Sequence, residues 1–319
     1  MKNIVFSFNP PTPDGTLANT RTATFLANLL DVPLVCDKTI QEHNDLDILF
    51  LVAGVFLYCR CLPELAVAIQ GAKRVIWVQN DYTIMPPKDD GAAESPFRYA
   101  FRKRRMDSKH PVDFWTTMKS YAQKTDMGAY LNWNSMAYNP MTDAEFEASW
   151  EKGKRGNSVL YFGADRAGRE LYFNRYFVGQ EAPLTISTFS KSMARYNEHA
   201  DVVGMFPRTI FNECMREFPM GLYLEDRKSH HIFTSPATRF YEMLGNGLAM
   251  VFQPESIPML AEAGYKVGPY TVAARGLADT LPKARDIARE QRALWATTNP
   301  AKALEKAVLN EYKRMISTF

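Results

Sequence analysis

The chain has 319 residues, 46% of them hydrophobic and 23% charged, with a formal net charge of +3. That composition excludes a disordered or collagen-like chain and leaves enough apolar material for two domains, each with its own core. No apolar run reaches the length of a membrane span, and the opening "MKNIVFSFNPPTPDG", one Lys and a short apolar stretch cut by prolines, reads as a first β-strand and not as a signal peptide.

In chain order, "NIVFSF" is a strand, and "LANTRTATFLANLL" has Ala23, Leu26 and Leu30 at helical spacing. "VPLVC" is short and β-like. "DILFLVAGVF" is a continuous apolar run, as expected of a strand covered on both faces. "LPELAVAIQ" is helical, with Gly71 as its stop, and "KRVIWVQND" is another buried strand. Residues 82–112 read as loop, and 113–140 as mixed elements. "EKGKRGN", Glu151 to Asn157, reads as a polar linker and domain boundary.

The pattern then restarts. "SVLYFG" is a strand, "GRELYFNRYFVGQ" a helix, "LTIST" a strand, and "ADVVGMFP" follows a turn. Helix "TIFNECMREF" leads to strand "MGLYLE", and "TRFYEMLGNGLAMVF" holds a further helix and strand. "LADTLPKARDIAREQRALWA" is helical. A last helix, Pro300 to Ile316, carries Leu304, Val308, Tyr312 and Met315 on one face. Strands alternating with helices predict an α/β chain with parallel, doubly wound sheets. The expected domains are 1–153 and 154–299, two Rossmann-like domains facing across a cleft, with helix 300–319 returning to the first.

Ligands of such sheets bind at the carboxyl ends of the strands. Four ends stand out: the stiff loop "NPPTPDG"; "VQNDYTIMPP", with Asp81; "YFGADRAGRE", with Gly163, Arg166 and Arg169 at a helix start; and the helix bearing Arg239 and Glu242. A helix start with two guanidinium groups suits a diphosphate. Arg239 and Glu242, at i and i+3, share a helix face. The plain reading is an intrahelical ion pair. The sharper one is a nucleotide clamp, Arg on phosphate and Glu on two ribose hydroxyls.

Arg98, Arg102, Lys103, Arg104, Arg105 and Lys109 form a basic run interleaved with Phe97, Tyr99 and Phe101. A solvated loop explains the charge, but aromatic interleaving suits a nucleic-acid surface. Other features are read as structural. Cys36, Cys59, Cys61 and Cys214 form neither a disulfide framework nor a metal site, which fits a reduced cytoplasmic setting. The Asp45-Leu46-Asp47 triplet precedes a strand, at the wrong end of the sheet for a metal-bound donor. His230-His231 reads as an exposed turn. The G-x-G-x-x-G of a nicotinamide enzyme is absent after the first strand.

"RFYEMLGNGLAMVF" resembles the donor-site helix of GT-B glycosyltransferases. "VIWVQNDYTIMPP", "YFGADRAGRE" and "RFYEML" occur in the order and approximate spacing of the T-even phage DNA β-glucosyltransferase family. That family moves glucose from UDP-glucose to 5-hydroxymethylcytosine in duplex DNA. The resemblance implies a catalytic base at Asp81, diphosphate-binding arginines at Arg166, Arg169 and Arg239, and a ribose-binding Glu242. It further implies a backbone segment at Met205 and Phe206 that reads the uracil. Ala164 stands where the family has a serine, the phosphate loop is one residue shorter, and residues 88–110 do not align, so sugar and acceptor stay open.

The expectation is therefore a metal-independent, inverting GT-B enzyme. It would transfer a sugar from a UDP-sugar to 5-hydroxymethylcytosine or 5-hydroxymethyluracil, flipped out of double-stranded DNA. It would be a monomer without membrane association, acting in the cytoplasm of an infected bacterial host. Two rival readings are a GT-B enzyme for a small molecule or surface glycan, and a non-enzymatic DNA-binding protein on a Rossmann scaffold.

Overall fold

The computed structural model describes residues 1–7, 18–52, 63–79, 112–117, 119, 122, 128–225, 235–266 and 276–318. The chain divides into two compact units, Met1–Trp133 with Leu304–Phe319, and Asn134–Ala303.

The first unit carries a six-stranded sheet of β1 (Asn3–Phe6), β2 (Leu34–Val35), β3 (Ile48–Val52), β4 (Arg74–Gln79), β5 (Val112–Thr116) and β6 (Gly128–Tyr130). The strand order is 2-1-3-4-5-6, and every pairing is parallel. Helices α1 (Ala18–Leu30) and α2 (Pro63–Gly71) belong to the crossovers. Every residue of β3 and β5 is buried, so the uninterrupted apolar run of β3 has the physical origin expected of it. The two edge strands, β2 and β6, are only two and three residues long, which leaves little unpaired backbone.

At the amino end of β3, Asp47 accepts from the Lys2 backbone N–H at 2.8 Å and from Lys73 Nζ at 2.7 Å. It is a tether for the β1 and β4 starts, in keeping with a loop reading of the Asp45–Asp47 triplet. Lys73 holds its carboxyl below the usual range.

The last helix, here α10 (Pro300–Ile316), supplies buried Leu304, Val308 and Met315. Asn3 Nδ2 donates to the Tyr312 hydroxyl at 2.7 Å, and the Tyr312 ring lies 6.0 Å from that of Phe50. Arg74 completes the seam. Its Nε donates to Asp113 Oδ2 at 2.6 Å and its Nη1 to Thr318 Oγ1 at 2.7 Å. Burial pushes the Asp113 carboxyl up against the opposing pull of Arg74.

The second unit carries a five-stranded sheet of β7 (Val159–Phe162), β8 (Leu184–Thr188), β9 (Asp201–Gly204), β10 (Met220–Tyr223) and β11 (Ala249–Phe252). Its order, β9-β8-β7-β10-β11, is the 3-2-1-4-5 of a dinucleotide-binding sheet, again wholly parallel. The helices are α3 (Asp143–Ser149), α4 (Glu170–Phe177), α5 (Phe211–Arg216), α6 (Thr238–Gly245), α7 (Ile257–Glu262), α8 (Leu277–Thr280) and α9 (Ala284–Trp295). One cluster gathers Tyr161, Phe173 and Phe177 with Leu184 and Ile287. Another gathers Leu160, Tyr223, Phe240, Met243 and Phe252 with Trp295. Gly221 in β10 lets α6 down onto the sheet, because a Cβ there would run into the Met243 sulfur.

Two expectations change. The unit boundary falls at Trp133/Asn134, not at 153/154. The reason is packing: Met141 and Phe146 are buried in the second unit's core, and the Met141 N–H donates to the Gly245 carbonyl at 3.2 Å. The stretch read as a linker contributes Arg155, which donates to the Phe218 carbonyl at 2.5 Å and the Asn246 carbonyl at 3.0 Å. Burial pulls the Arg155 guanidinium down to about 10. The segment 277–296, expected as one helix, is broken by a 3-10 turn at Leu281–Lys283, where Pro282 has no N–H to continue the ladder.

Met315→Ala is expected to lower the stability of the first unit by about 2–5 kcal/mol, the range for emptying a buried methionine site. Arg314→Ala removes an exposed guanidinium that pairs with Glu311 and should stay within about 0.5 kcal/mol. Urea unfolding followed by the fluorescence of buried Trp77, Trp115 and Trp133 checks both.

Candidate functional site

The strand order of the second unit reverses between β7 and β10, and the carboxyl ends of these neighbours are where ligands of such sheets bind. β7 ends at Phe162, and the next residue is Gly163, whose φ of +150° suits glycine. A Cβ there would lie 3.1 Å from the Tyr161 hydroxyl and 3.2 Å from Arg239 Nη1. Conformation and space both ask for the missing side chain.

The loop beyond Gly163 is pinned through Asp165. Its N–H donates to Ser190 Oγ at 2.9 Å, and its carboxylate takes Arg195 Nη1 at 2.7 Å and Ser192 Oγ at 2.5 Å. The Arg195 guanidinium holds the Asp165 carboxyl below its usual range. With Asp165 fixed, Arg166 stands exposed beside it. A 3-10 turn, Ala167–Arg169, then turns the chain into α4, and Arg169 points inward.

Arg169 is 2% exposed, and its Nη2 donates to Glu225 Oε2 at 3.0 Å. Glu225 follows β10 and is 4% exposed, with its own N–H held by Gln253 Oε1 at 2.9 Å. Arg239 Nε lies 3.3 Å from the other oxygen, Glu225 Oε1, an ion pair without hydrogen-bond alignment. Both arginines also approach the Tyr161 hydroxyl, Arg169 Nη1 at 3.3 Å and Arg239 Nη1 at 3.5 Å. Two guanidinium groups thus share one carboxylate beside a glycine turn.

Arg239 stands on the first turn of α6. Ala237 at the N-cap offers no side-chain acceptor. The Tyr223 hydroxyl from β10 substitutes, accepting from the Ala237 N–H at 2.9 Å, and burial pushes this phenol well up. At the far end, Arg155 and the Asn246 cap hold the last carbonyls; Asn246 Nδ2 donates to the Glu242 carbonyl at 2.9 Å.

Glu242 lies one turn after Arg239 and is 7% exposed. Its Oε1 takes Arg208 Nη1 at 2.8 Å. Arg239 and Glu242 therefore each have a partner on another element, Glu225 and Arg208. Met205 and Phe206, after β9, are half-buried. The Phe206 N–H donates to Ser187 Oγ at 3.2 Å, and its ring stacks on Phe218 at 6.0 Å.

Gly163, Arg169 and Arg239 are thus brought together, while Glu242, Met205 and Phe206 line neighbouring strand ends of the same unit. Asp81, Arg98, Arg102, Lys103, Arg104, Arg105 and Lys109 lie outside the described residues, as do Cys59, Cys61, His230 and His231. Sequence reasoning missed Glu225, Arg208 and Tyr161. Glu225 carried the same signal as Asp81, a carboxylate at the end of an apolar strand. Among the described residues, no group of three His, Cys, Asp or Glu side chains can hold a metal ion, and no helix is long and apolar enough to cross a membrane.

No family model and no curated protein sequence matches the chain. Solved structures do. The chain has the GT-B fold. The T4 phage beta-glucosyltransferase superposes with a TM-score of 0.59 at 12% identity, over 97% of this chain and 99% of its own. Other structures of that enzyme hold UDP-glucose, or UDP with Mn2+. An alpha-glucosyltransferase in complex with UDP and a 13-mer DNA superposes with a TM-score of 0.53 at 9% identity, over 99% of this chain and 98% of its own.

Glu225→Ala should leave the buried Arg169 and the mostly buried Arg239 without their shared counter-charge. The expected loss is about 3–5 kcal/mol in the second unit, as for breaking a buried pair from one side. Glu147→Ala, at the exposed Arg285 and Arg289 pairs, is the control and should leave the melting temperature nearly unchanged. Thermal denaturation of the two variants beside the parent chain measures the difference.

Proposed function

We propose that this protein is a glycosyltransferase that moves a sugar from a UDP-sugar to the hydroxymethyl group of a 5-hydroxymethylpyrimidine in DNA. The observation that carries the donor half is the meeting of guanidinium groups at the switch point of the second unit, where Arg169 and Arg239 both reach Glu225 beside Gly163 and Arg166 stands exposed on the same loop. A diphosphate is an anion that guanidinium groups gathered beside a glycine turn suit. The GT-B fold and neighbours that bind UDP or UDP-glucose agree with it.

In this reading Arg166, Arg169 and Arg239 hold the diphosphate beside Gly163. Glu242 accepts from the ribose hydroxyls, and the backbone around Met205 and Phe206 meets the uracil. Asp81, two residues beyond β4 in sequence, accepts the proton of the acceptor hydroxyl. The freed oxygen attacks C1 of the sugar from the face opposite UDP. The bond from C1 to the β-phosphate oxygen breaks, its electrons leave with UDP, and the configuration inverts. The arginines stabilise charge as it develops on the leaving diphosphate. Stabilisation by guanidinium groups alone makes the reaction metal-independent.

DNA as acceptor rests on the basic, aromatic-interleaved run from Arg98 to Lys109. It also draws on the likeness to enzymes that modify DNA or were captured with DNA. A base within a duplex must leave the stack to reach the donor.

The test is transfer itself. The protein is incubated with hydroxymethylated or plain duplex DNA and a panel of UDP-sugars in chelator, and the products are digested to nucleosides for mass spectrometry. A glycosylated hydroxymethylpyrimidine, formed without metal, is expected. Asp81→Asn should lower turnover by roughly 10²–10⁴ with the melting temperature little changed. Near-normal turnover in that variant removes Asp81 from the mechanism, and activity that needs added Mn2+ removes the metal-independent step.

Replacing Arg102, Lys103, Arg104 and Arg105 with Ala should weaken DNA binding without changing UDP affinity. The log–log salt dependence should flatten by roughly 0.9 for every phosphate that is no longer neutralised. Fluorescence anisotropy across a salt series reads the slope, and an unchanged slope would make the run a solvated loop.

A further inference from the structure

The loop leaving β9 runs through Met205, Phe206 and Pro207 to Arg208, whose side chain connects that loop to α6. Arg208 Nη1 donates to Glu242 Oε1 at 2.8 Å. On its other side the guanidinium lies 4.5 Å from the centroid of the Phe211 ring. That ring is itself fixed edge-on against Phe162, at 5.5 Å, and packs on Phe206 at 6.5 Å. The cation is held between a ring and a carboxylate. Its side chain is 28% exposed and that of Glu242 only 8%.

This geometry has two consequences. A carboxylate so nearly removed from water needs a counter-charge, and Arg208 supplies one from the solvent side. A carboxylate also offers about four lone-pair directions. The directed Arg208 N–H at Oε1 takes one of these directions and orients the group. The base-reading loop and the ribose-binding carboxylate proposed above are thereby tied by one side chain, at a spacing set by Pro207 and the aromatic packing beneath it.

We propose that Arg208 is a positioning residue that makes the donor site selective for a ribonucleotide, by aiming the Glu242 carboxylate at the ribose hydroxyls of the nucleoside diphosphate. The inference rests on the donor-site reading under Proposed function. It adds a residue and a selectivity to that reading. Without Arg208 the carboxylate turns away from the diol, and the 2′-hydroxyl ceases to matter, while the arginines around Gly163 still hold the diphosphate.

Calorimetry with UDP and with 2′-deoxy-UDP, on the parent chain, Arg208→Ala and Arg208→Lys, separates the outcomes. The parent should prefer UDP by about 10-fold or more, as expected for a hydrogen bond to a charged acceptor. Arg208→Ala should lose most of that preference, with affinity for 2′-deoxy-UDP little changed, and Arg208→Lys should recover part of it. A merely structural role would weaken both ligands by the same factor, which overturns the assignment, as does a parent-like ratio in Arg208→Ala. Melting temperatures accompany each variant, and if Arg208→Ala does not fold, Arg208→Lys and Arg208→Gln carry the comparison. A parent chain that prefers UDP while the variants keep its ratio removes only Arg208. A parent chain that binds neither ligand removes the donor reading and this inference with it.

Discussion

The second unit is organised around one carboxylate that has to serve two cations. Glu225 is nearly out of water, as is Arg169, and Arg239 is only slightly less buried. Removing such charges from solvent is expensive and is offset only when partners and hydrogen bonds are well placed. Here the placement comes from three elements: the end of β10 carries Glu225, the turn before α4 carries Arg169, and the first turn of α6 carries Arg239. None of the three is near the others in sequence. They meet because β7 and β10 are neighbours at the point where strand order reverses. The same topology that makes a parallel sheet bind ligands at its carboxyl ends therefore concentrates charge there before any ligand arrives.

Stability and function pull on that cluster in different directions. A second carboxylate beside the two arginines would add counter-charge and steady the unit. It would also repel an anion. The chain instead places Arg166 exposed on the same loop and keeps the loop in shape through Asp165, Ser190, Ser192 and Arg195. The ion pair at Asp165 thus supports geometry on the solvent side, while that at Glu225 orders the buried side. This division explains why Arg166 and Arg169, three residues apart and identical in chemistry, have such different surroundings.

Much of the fold was legible in the sequence because it follows from local rules. Continuous apolar runs such as Ile48–Val52 and Val159–Phe162 are strands covered on both faces, and their alternation with amphipathic segments permits few sheet arrangements. Gly163 and the arginines were legible because a ligand's place at strand ends is itself a rule of topology. The partners were not. Arg239 and Glu242 look like each other's counter-charge when only i, i+3 spacing is available, whereas strand order brings Glu225 and Arg208 to them from 14 and 34 residues away. The domain boundary was hidden for a related reason. A polar, glycine-bearing stretch reads as linker, and nothing in its composition says that Arg155 is half-buried and donates to the Phe218 and Asn246 carbonyls.

The helix that carries Arg239 and Glu242 matters as a rigid spacer. Three residues advance an α-helix by about 4.5 Å, so the two side chains leave one face at a fixed separation only if the helix cannot shift or fray. A helix of eight residues is too short to hold itself together in water. Its ends are therefore secured from outside. The Tyr223 hydroxyl takes the Ala237 N–H at the start, Arg155 takes the Asn246 carbonyl at the finish, and Gly221 removes the side chain that would lift the middle off the sheet. Two of these devices come from β10 and one from the stretch before β7, and each acts on backbone or bulk packing, not on the side chains of Arg239 and Glu242. The separation between the Arg239 cation and the Glu242 carboxylate is thus set by the scaffold, which leaves Glu225 and Arg208 to set only the direction in which each group points.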